Sequence, residues 1–201
     1  MKELNFALYQ RLLKKSGLKN KKRLMSGIKK ADGLGHKSIT KSPLNNKNDL
    51  IRIIYMSYAW MPKMLKGFGK HNFNGKTIRN LTSLAKKATF KKLDEAEETA
   101  LFVGLAKLTN NYMVGASKVL SIINLKQYPI FDSQVIKAWN HYIADKTNSS
   151  RLRNISIKAN KGRNAIEKYR LYKTWLLKWA KELKQPVRHV EFLLYSLGKN
   201  M

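Results

Sequence analysis

Between Glu98 and Asp145 the chain carries a single carboxylate, Asp132, in the run QYPIFDSQVIKAW. Asp132 followed by Ser133 is a good N-cap for a helix running through Val135, Ile136 and Trp139. Pro129 marks an extended approach to it, and Leu125 to Tyr128 is a short connection. Upstream, Gly115 to Asn124 has helical spacing, with Ala116, Val119, Leu120 and Ile123 on one face and Ser117 and Lys118 turned away from it. A carboxylate fixed where a helix begins can cap that helix, a contribution of about 1 kcal/mol. It can also stabilise positive charge developing on a substrate and orient an attacking water.

The elements that must position this motif read as helices throughout. Leu4, Leu8 and Leu12 form one helical stripe, followed by the charge run Lys19, Lys21, Lys22 and Arg23, and then by Leu24, Met25 and Ile28 on a second short amphipathic segment. Residues 29–47 are rich in Gly, Ser, Asn and Lys and read as a loop or mobile basic arm. The chain thus divides into basic N-terminal helices with an arm (1–47) and a helical domain (48–201) that contains the motif at 109–139. From Asp49 to Met61 the sequence is almost continuously apolar, and its length predicts a central helix. The stretch KMLKGFGKHNFNGK interleaves lysines with Phe68 and Phe73, a pattern that suits either unpaired nucleic acid or a plain connecting loop. Ile78, Leu81, Leu84 and Ala85 mark another helix. Asp94 with Glu97 has the spacing of a capping box ahead of Leu101, Phe102, Leu105 and Leu108, which gives the acidic cluster Asp94, Glu95, Glu97 and Glu98 an ordinary explanation in the cap and the helix dipole. Residues 146–164 form a basic loop with Arg151, Arg153 and Lys158. An amphipathic helix then carries Tyr169, Tyr172, Trp175, Leu176 and Trp179. After Pro186 a last helix bears Val190, Leu193, Leu194 and Leu197, with Gly198 as its expected C-terminal cap. Strand-like alternation is not evident, so the predicted fold class is all-α.

Composition narrows the partners. With 41 Lys and Arg against 12 Asp and Glu, the 201-residue chain has a formal charge of +29. Such an excess calls for a polyanion, and nucleic acid is the obvious one, because each phosphate neutralised releases condensed counterions. Lys-rich and Asn-rich usage in an AT-rich genome is the competing explanation, but it leaves the low count of glutamate, whose codons are also AT-rich, unaccounted for. No cysteine is present, so disulfides and an iron-sulfur cluster are excluded. His36, His71, His141 and His189 show no metal-ligand spacing. No apolar run is long enough to span a membrane, and the first twenty residues lack the apolar core of a signal peptide, so the expected location is cytoplasmic, at the nucleoid or in a host cytoplasm for a viral protein.

The order VGASKVL, then QYP, then IFDSQV resembles the helix-hairpin-helix DNA glycosylase superfamily, whose signature is a hairpin, a helix of small residues, a short proline-containing connection and a hydrophobic-Asp-x-x-Val segment. The resemblance covers roughly thirty residues well and the neighbouring helices more loosely. It implies a glycosylase-like helical domain of one or two lobes, a metal-free and cofactor-free site, and Asp132 as the catalytic carboxylate. Its substrate would be a base flipped out of duplex DNA. By the same resemblance Asn110, Asn111, Tyr112 and Gly115 would form the phosphate-gripping hairpin, with Ser117 and Lys118 beside it. Arg151, Arg153 and Lys158 are the further DNA contacts suggested by charge, and Tyr128, Ser133 and Gln134 the polar candidates for the base pocket. Two positions depart from the family pattern. The usual Leu-Pro-Gly-x-Gly hairpin is replaced by Leu108, Thr109, Asn110, Asn111 and Tyr112, in which the asparagines tolerate left-handed backbone. Aligned on Ala116 and Asp132, the Schiff-base lysine of bifunctional members is replaced by Val114, and Lys118 stands too close to Asp132 in sequence to take its place. The expected activity is therefore a monofunctional N-glycosylase acting as a monomer. The alternatives are a phage-type base-hypermodification enzyme on the same fold, and a non-catalytic module that binds DNA or RNA.

Overall fold

The computed structural model describes residues 6–18, 25–26, 44–58, 75–109, 113–144 and 163–201. The charge run at 19–23, most of the expected arm, the KMLKGFGKHNFNGK stretch up to residue 74, Asn110 to Tyr112 of the expected hairpin, and Arg151, Arg153 and Lys158 lie outside the described residues.

Among the described residues the fold is all-α and contains no strand. The helices are α1 (Phe6–Lys15), α2 (Lys47–Tyr58), α3 (Gly75–Phe90), α4 (Glu95–Leu108), α5 (Met113–Ile123), α6 (Ser133–Trp139), α7 (Arg163–Glu182) and α8 (Val187–Lys199). A π-helical turn, Asn140–Ala144, continues α6. Local chemistry sets several of the ends. At the start of α2 the Asn46 side chain accepts the N–H groups of Asn48 (2.8 Å) and Asp49 (3.2 Å), while Asp49 accepts those of Asn45 and Asn46. The capping box expected at α4 is present: Asp94 accepts the Glu97 N–H at 2.8 Å and Glu97 accepts that of Asp94 at 3.3 Å.

The acidic cluster serves these ends and two inter-helix joints. Glu97 pairs with Lys87 of α3, and Glu98, buried, pairs with Arg170 (2.9 Å) and Lys173 of α7. Arg170 also reaches Glu95 at 2.7 Å. Glu95 and Glu98 thus pin α4 to α7, and Glu97 ties it to α3.

The core is built around α5, whose residues are buried on every side from Gly115 to Ile123. The expected division of this helix into an apolar face and a polar face carrying Ser117 and Lys118 is therefore overturned, because α2, α3, α4 and α7 all pack on it. A chain of aromatic contacts runs along α7: Phe102 stacks on Tyr169 at 4.9 Å, Phe131 meets Tyr172 edge-on at 5.2 Å, and Trp139 meets Tyr172 at 5.7 Å. It continues through Trp139 and Trp179 to Tyr9 of α1. Each of these buried side chains contributes about 1.5–3 kcal/mol of apolar burial.

Gly198 does not cap α8, as the sequence predicts, but lies inside it. A Cβ there would collide with the Gln134 carbonyl, so the glycine is what lets α8 lie directly on the first turn of α6. Those two helices form the most extensive pairing in the structure. It is α8 that completes the site around Asp132.

Candidate functional site

Five residues of extended chain, 128–132, lead from the turn after α5 into α6, and four backbone polar groups at their centre, from Pro129 to Phe131, are held by side chains from other elements. The Ser117 hydroxyl accepts the Phe131 N–H at 2.9 Å and donates to the Val114 carbonyl at 2.9 Å. Glu191 of α8 accepts the Ile130 N–H at 2.7 Å. Tyr169 and Tyr172 of α7 donate to the carbonyls of Pro129 (3.0 Å) and Ile130 (2.9 Å). Burial pushes both phenols well above their ordinary range, so they remain protonated donors. Buried backbone groups left unpaired would each cost about 1–3 kcal/mol, so this clamp fixes the segment that presents Asp132.

Asp132 uses its two oxygens differently. Oδ1 accepts the Gln134 N–H at 2.8 Å and caps α6, with the residue itself at φ −94° and ψ 154°, outside the helix. Oδ2 faces the ammonium of Lys118 at 3.9 Å. Lys118 is only 9% exposed. Burial pulls its pKa below the usual lysine value and the Arg188 charge pulls the same way, whereas Asp132 and Glu191 oppose them. From its sequence position Lys118 is not expected to stand in for the Schiff-base lysine, yet its ammonium is the one that lies beside Asp132. The connection after α5 reverses direction and brings the amine of the preceding helix back to the carboxylate, so the amine beside Asp132 comes from position 118 and not from 114.

Around this pair lies a pocket of about 280 Å³, near the lower end of the usual size for ligand sites, lined by Lys118, Asp132, Ile130, Val135 and four residues of α8. Those four are Arg188, Glu191, Phe192 and Tyr195. Glu191, 1% exposed, pairs with Arg188, and Phe192 stacks on Tyr195 with ring centroids 6.0 Å apart. The pocket thus holds two cations and two carboxylates beside an aromatic pair.

The other expected site residues fall in several places. Ser117 is fully buried, and its hydroxyl serves as a backbone clamp. Gly115 is buried against Thr109, whose side chain a Cβ would strike. Ser133 and Gln134 are half-buried in the first turn of α6, where the pocket wall is instead made by Asp132 and Val135. Tyr128 is buried away from the pocket lining, with the Lys173 ammonium 5.1 Å from its ring centre. The contribution of α8 is missing from the sequence reading altogether. Its one available signal is the pair Arg188 and Glu191, three residues apart near the start of the helix. Among the described residues no group of three or more His, Asp or Glu converges as a metal site, and no helix is long and apolar enough to cross a membrane.

Comparison of the chain with protein-family models, curated proteins and solved structures finds no match. Its function is accordingly read from the geometry of its own residues.

Proposed function

We propose that this chain is a DNA-binding enzyme that acts on a nucleobase flipped out of the duplex, as an N-glycosylase with Asp132 as its catalytic carboxylate. The observation that carries the reading is the position of Asp132 at the pocket: one oxygen is committed to the helix cap, and the other faces a half-polar cavity beside a buried amine. As the bond from sugar to base breaks, the electron pair leaves with the base and positive charge develops at the sugar. A fixed carboxylate stabilises that charge and can take the proton of the water that attacks the same carbon. The +29 charge supplies the affinity for the phosphate backbone.

Position 118 favours a second reading within the same class. A lysine whose pKa is lowered by burial has a larger neutral fraction, and the neutral amine is a nucleophile. Lys118 would then attack the sugar carbon in place of water, passing its surplus proton to Asp132 as the base departs with the bonding pair. Opening of the sugar ring would leave an imine.

The test is release of free base from duplexes containing uracil, alkylated, oxidised or hypermodified bases, run with and without borohydride. Release without trapping supports the hydrolytic reading, and a trapped adduct that disappears in Lys118→Met supports the amine. DNA binding with neither outcome for any substrate would leave a non-catalytic binding module and remove both readings.

A further inference from the structure

Helix α3 turns one face to the core, through Leu81, Thr82, Ala85 and Ala88, and on the other exposes Lys76, Arg79, Ser83, Lys86 and Phe90. These five recur at alternating intervals of three and four and so form one stripe, about 21 Å long at 1.5 Å per residue. The helix contains no acidic residue. Among the described residues none of Lys76, Arg79 and Lys86 has a carboxylate within ion-pair distance, whereas Lys87 beside the stripe is taken by Glu97.

Two features set this stripe apart from an ordinary solvated face. Lys76 and Arg79 sit at the N-terminal end of the helix, where the macrodipole disfavours cations, so helix stability does not account for them. Phe90, at the other end, is 77% exposed. A single exposed apolar residue is common, but this ring is mounted on rigid backbone. The Asn124 amide donates to the Ala88 carbonyl at 3.0 Å, and the Lys91 N–H donates to the Lys87 carbonyl at 2.9 Å. Lys91 and Lys92 follow directly, both exposed.

We propose that the outer face of α3 is a track for unpaired nucleic acid, in which Lys76, Arg79 and Lys86 hold phosphates and Phe90 stacks on a base at the end. Cations spaced along one face suit a backbone of regular negative charge. An aromatic ring held out among them suits a base whose face is free, which a duplex does not offer without unstacking. The inference rests on the nucleic-acid part of the proposed function and is independent of Asp132.

The test uses fluorescence anisotropy of the full chain with a labelled oligothymidylate of about sixteen nucleotides, the upper end of what one compact binding unit covers, and with an undamaged duplex of the same length. Phe90→Ala should weaken single-strand binding about tenfold and leave duplex binding within about twofold, since a phosphate-held duplex makes no use of the ring. Phe90→Trp should restore it. The triple change Lys76→Gln, Arg79→Gln and Lys86→Gln should reduce the salt slope for the single strand by about 2, or 0.7 for each phosphate lost. Unchanged single-strand binding by Phe90→Ala, or equal losses for both ligands, overturns the track. A wild-type chain that binds neither ligand removes the track and the DNA reading together. Base release by Phe90→Ala with wild-type single-strand affinity removes the track alone.

Discussion

The buried carboxylate of Glu191 accepts the backbone N–H of Ile130 at 2.7 Å, two residues before Asp132 and 61 residues away in sequence. The same side chain pairs with Arg188, so α8 both lines the pocket and holds the segment that presents the catalytic candidate. Glu191→Gln keeps an oxygen for the Ile130 N–H but removes the buried carboxylate that pairs with the half-buried Arg188. Breaking a buried pair from one side costs about 3 kcal/mol. Urea unfolding should show a loss of that order, and Arg188→Leu in the same chain should recover part of it. A loss under about 0.5 kcal/mol, the range of ordinary surface changes, would mean that the pair is effectively solvated.

Gly198 provides a test whose sign is decisive. In an unconstrained helix interior, alanine is more favourable than glycine by about 1 kcal/mol. Here a Cβ meets the Gln134 carbonyl, a backbone atom that can yield only if α6 moves. Gly198→Ala should therefore destabilise the protein by about 1–3 kcal/mol, as overpacking does, and thermal unfolding should show a lower Tm. A raised Tm would indicate that α6 and α8 are not in close contact.

What could be read in the sequence, and what could not, follows from distance along the chain. The Asp94–Glu97 capping box, the Asp132 cap of α6 and the buried spacing of Tyr169, Tyr172, Leu176 and Trp179 on α7 are local patterns, and the structure has them where periodicity puts them. The partners of those elements are not local. Nothing around Ser117 announces that its hydroxyl will hold Phe131, and nothing in LKQYP gives the reversal that returns Lys118 to Asp132. Gly198 has the composition of a cap, and only the crossing of α8 over α6 reveals its use. Arg188 and Glu191 stand three residues apart, as an exposed pair would, and only the fold buries the Glu191 carboxylate. Phe90 lies among lysines in KKATFKK, and the local pattern does not say which way its ring faces.

Lys118 should be recognisable by titration. After reductive methylation with labelled formaldehyde, its resonance, identified by its absence in Lys118→Met, should titrate below the usual 10.5, since burial lowers it more than Asp132 raises it. Asp132→Asn removes the main raising influence, so the value should fall further. The consequence for stability has a definite sign. A lysine with a lowered folded pKa binds fewer protons folded than unfolded, so Lys118 disfavours folding at neutral pH, and that penalty is relieved as pH rises through its folded pKa towards 10.5. Wild type should therefore gain stability relative to Lys118→Met across that alkaline interval. A flat difference would place the amine in solvent.

Asp132→Asn separates the two uses of the residue because it keeps the size of the side chain and an oxygen for the Gln134 N–H while removing the charge. Asparagine caps a helix about as well as aspartate, so the stability of α6 should change by no more than about 0.5 kcal/mol. Lys118 loses its counter-charge, but at 9% exposure it can shed its proton instead of remaining as a buried cation, and global unfolding should stay close to wild type. Under the proposed function, affinity for DNA should hold or rise, since a negative charge would have left a surface facing phosphate. Turnover in base release should fall by two orders of magnitude or more, about 3 kcal/mol of transition-state stabilisation, if the carboxylate faces the cationic sugar. Single-turnover release at saturating enzyme reads that step apart from binding. Unchanged single-turnover release would reduce Asp132 to a cap, and Lys118→Met would then be the variant that decides whether the pocket carries the chemistry at all.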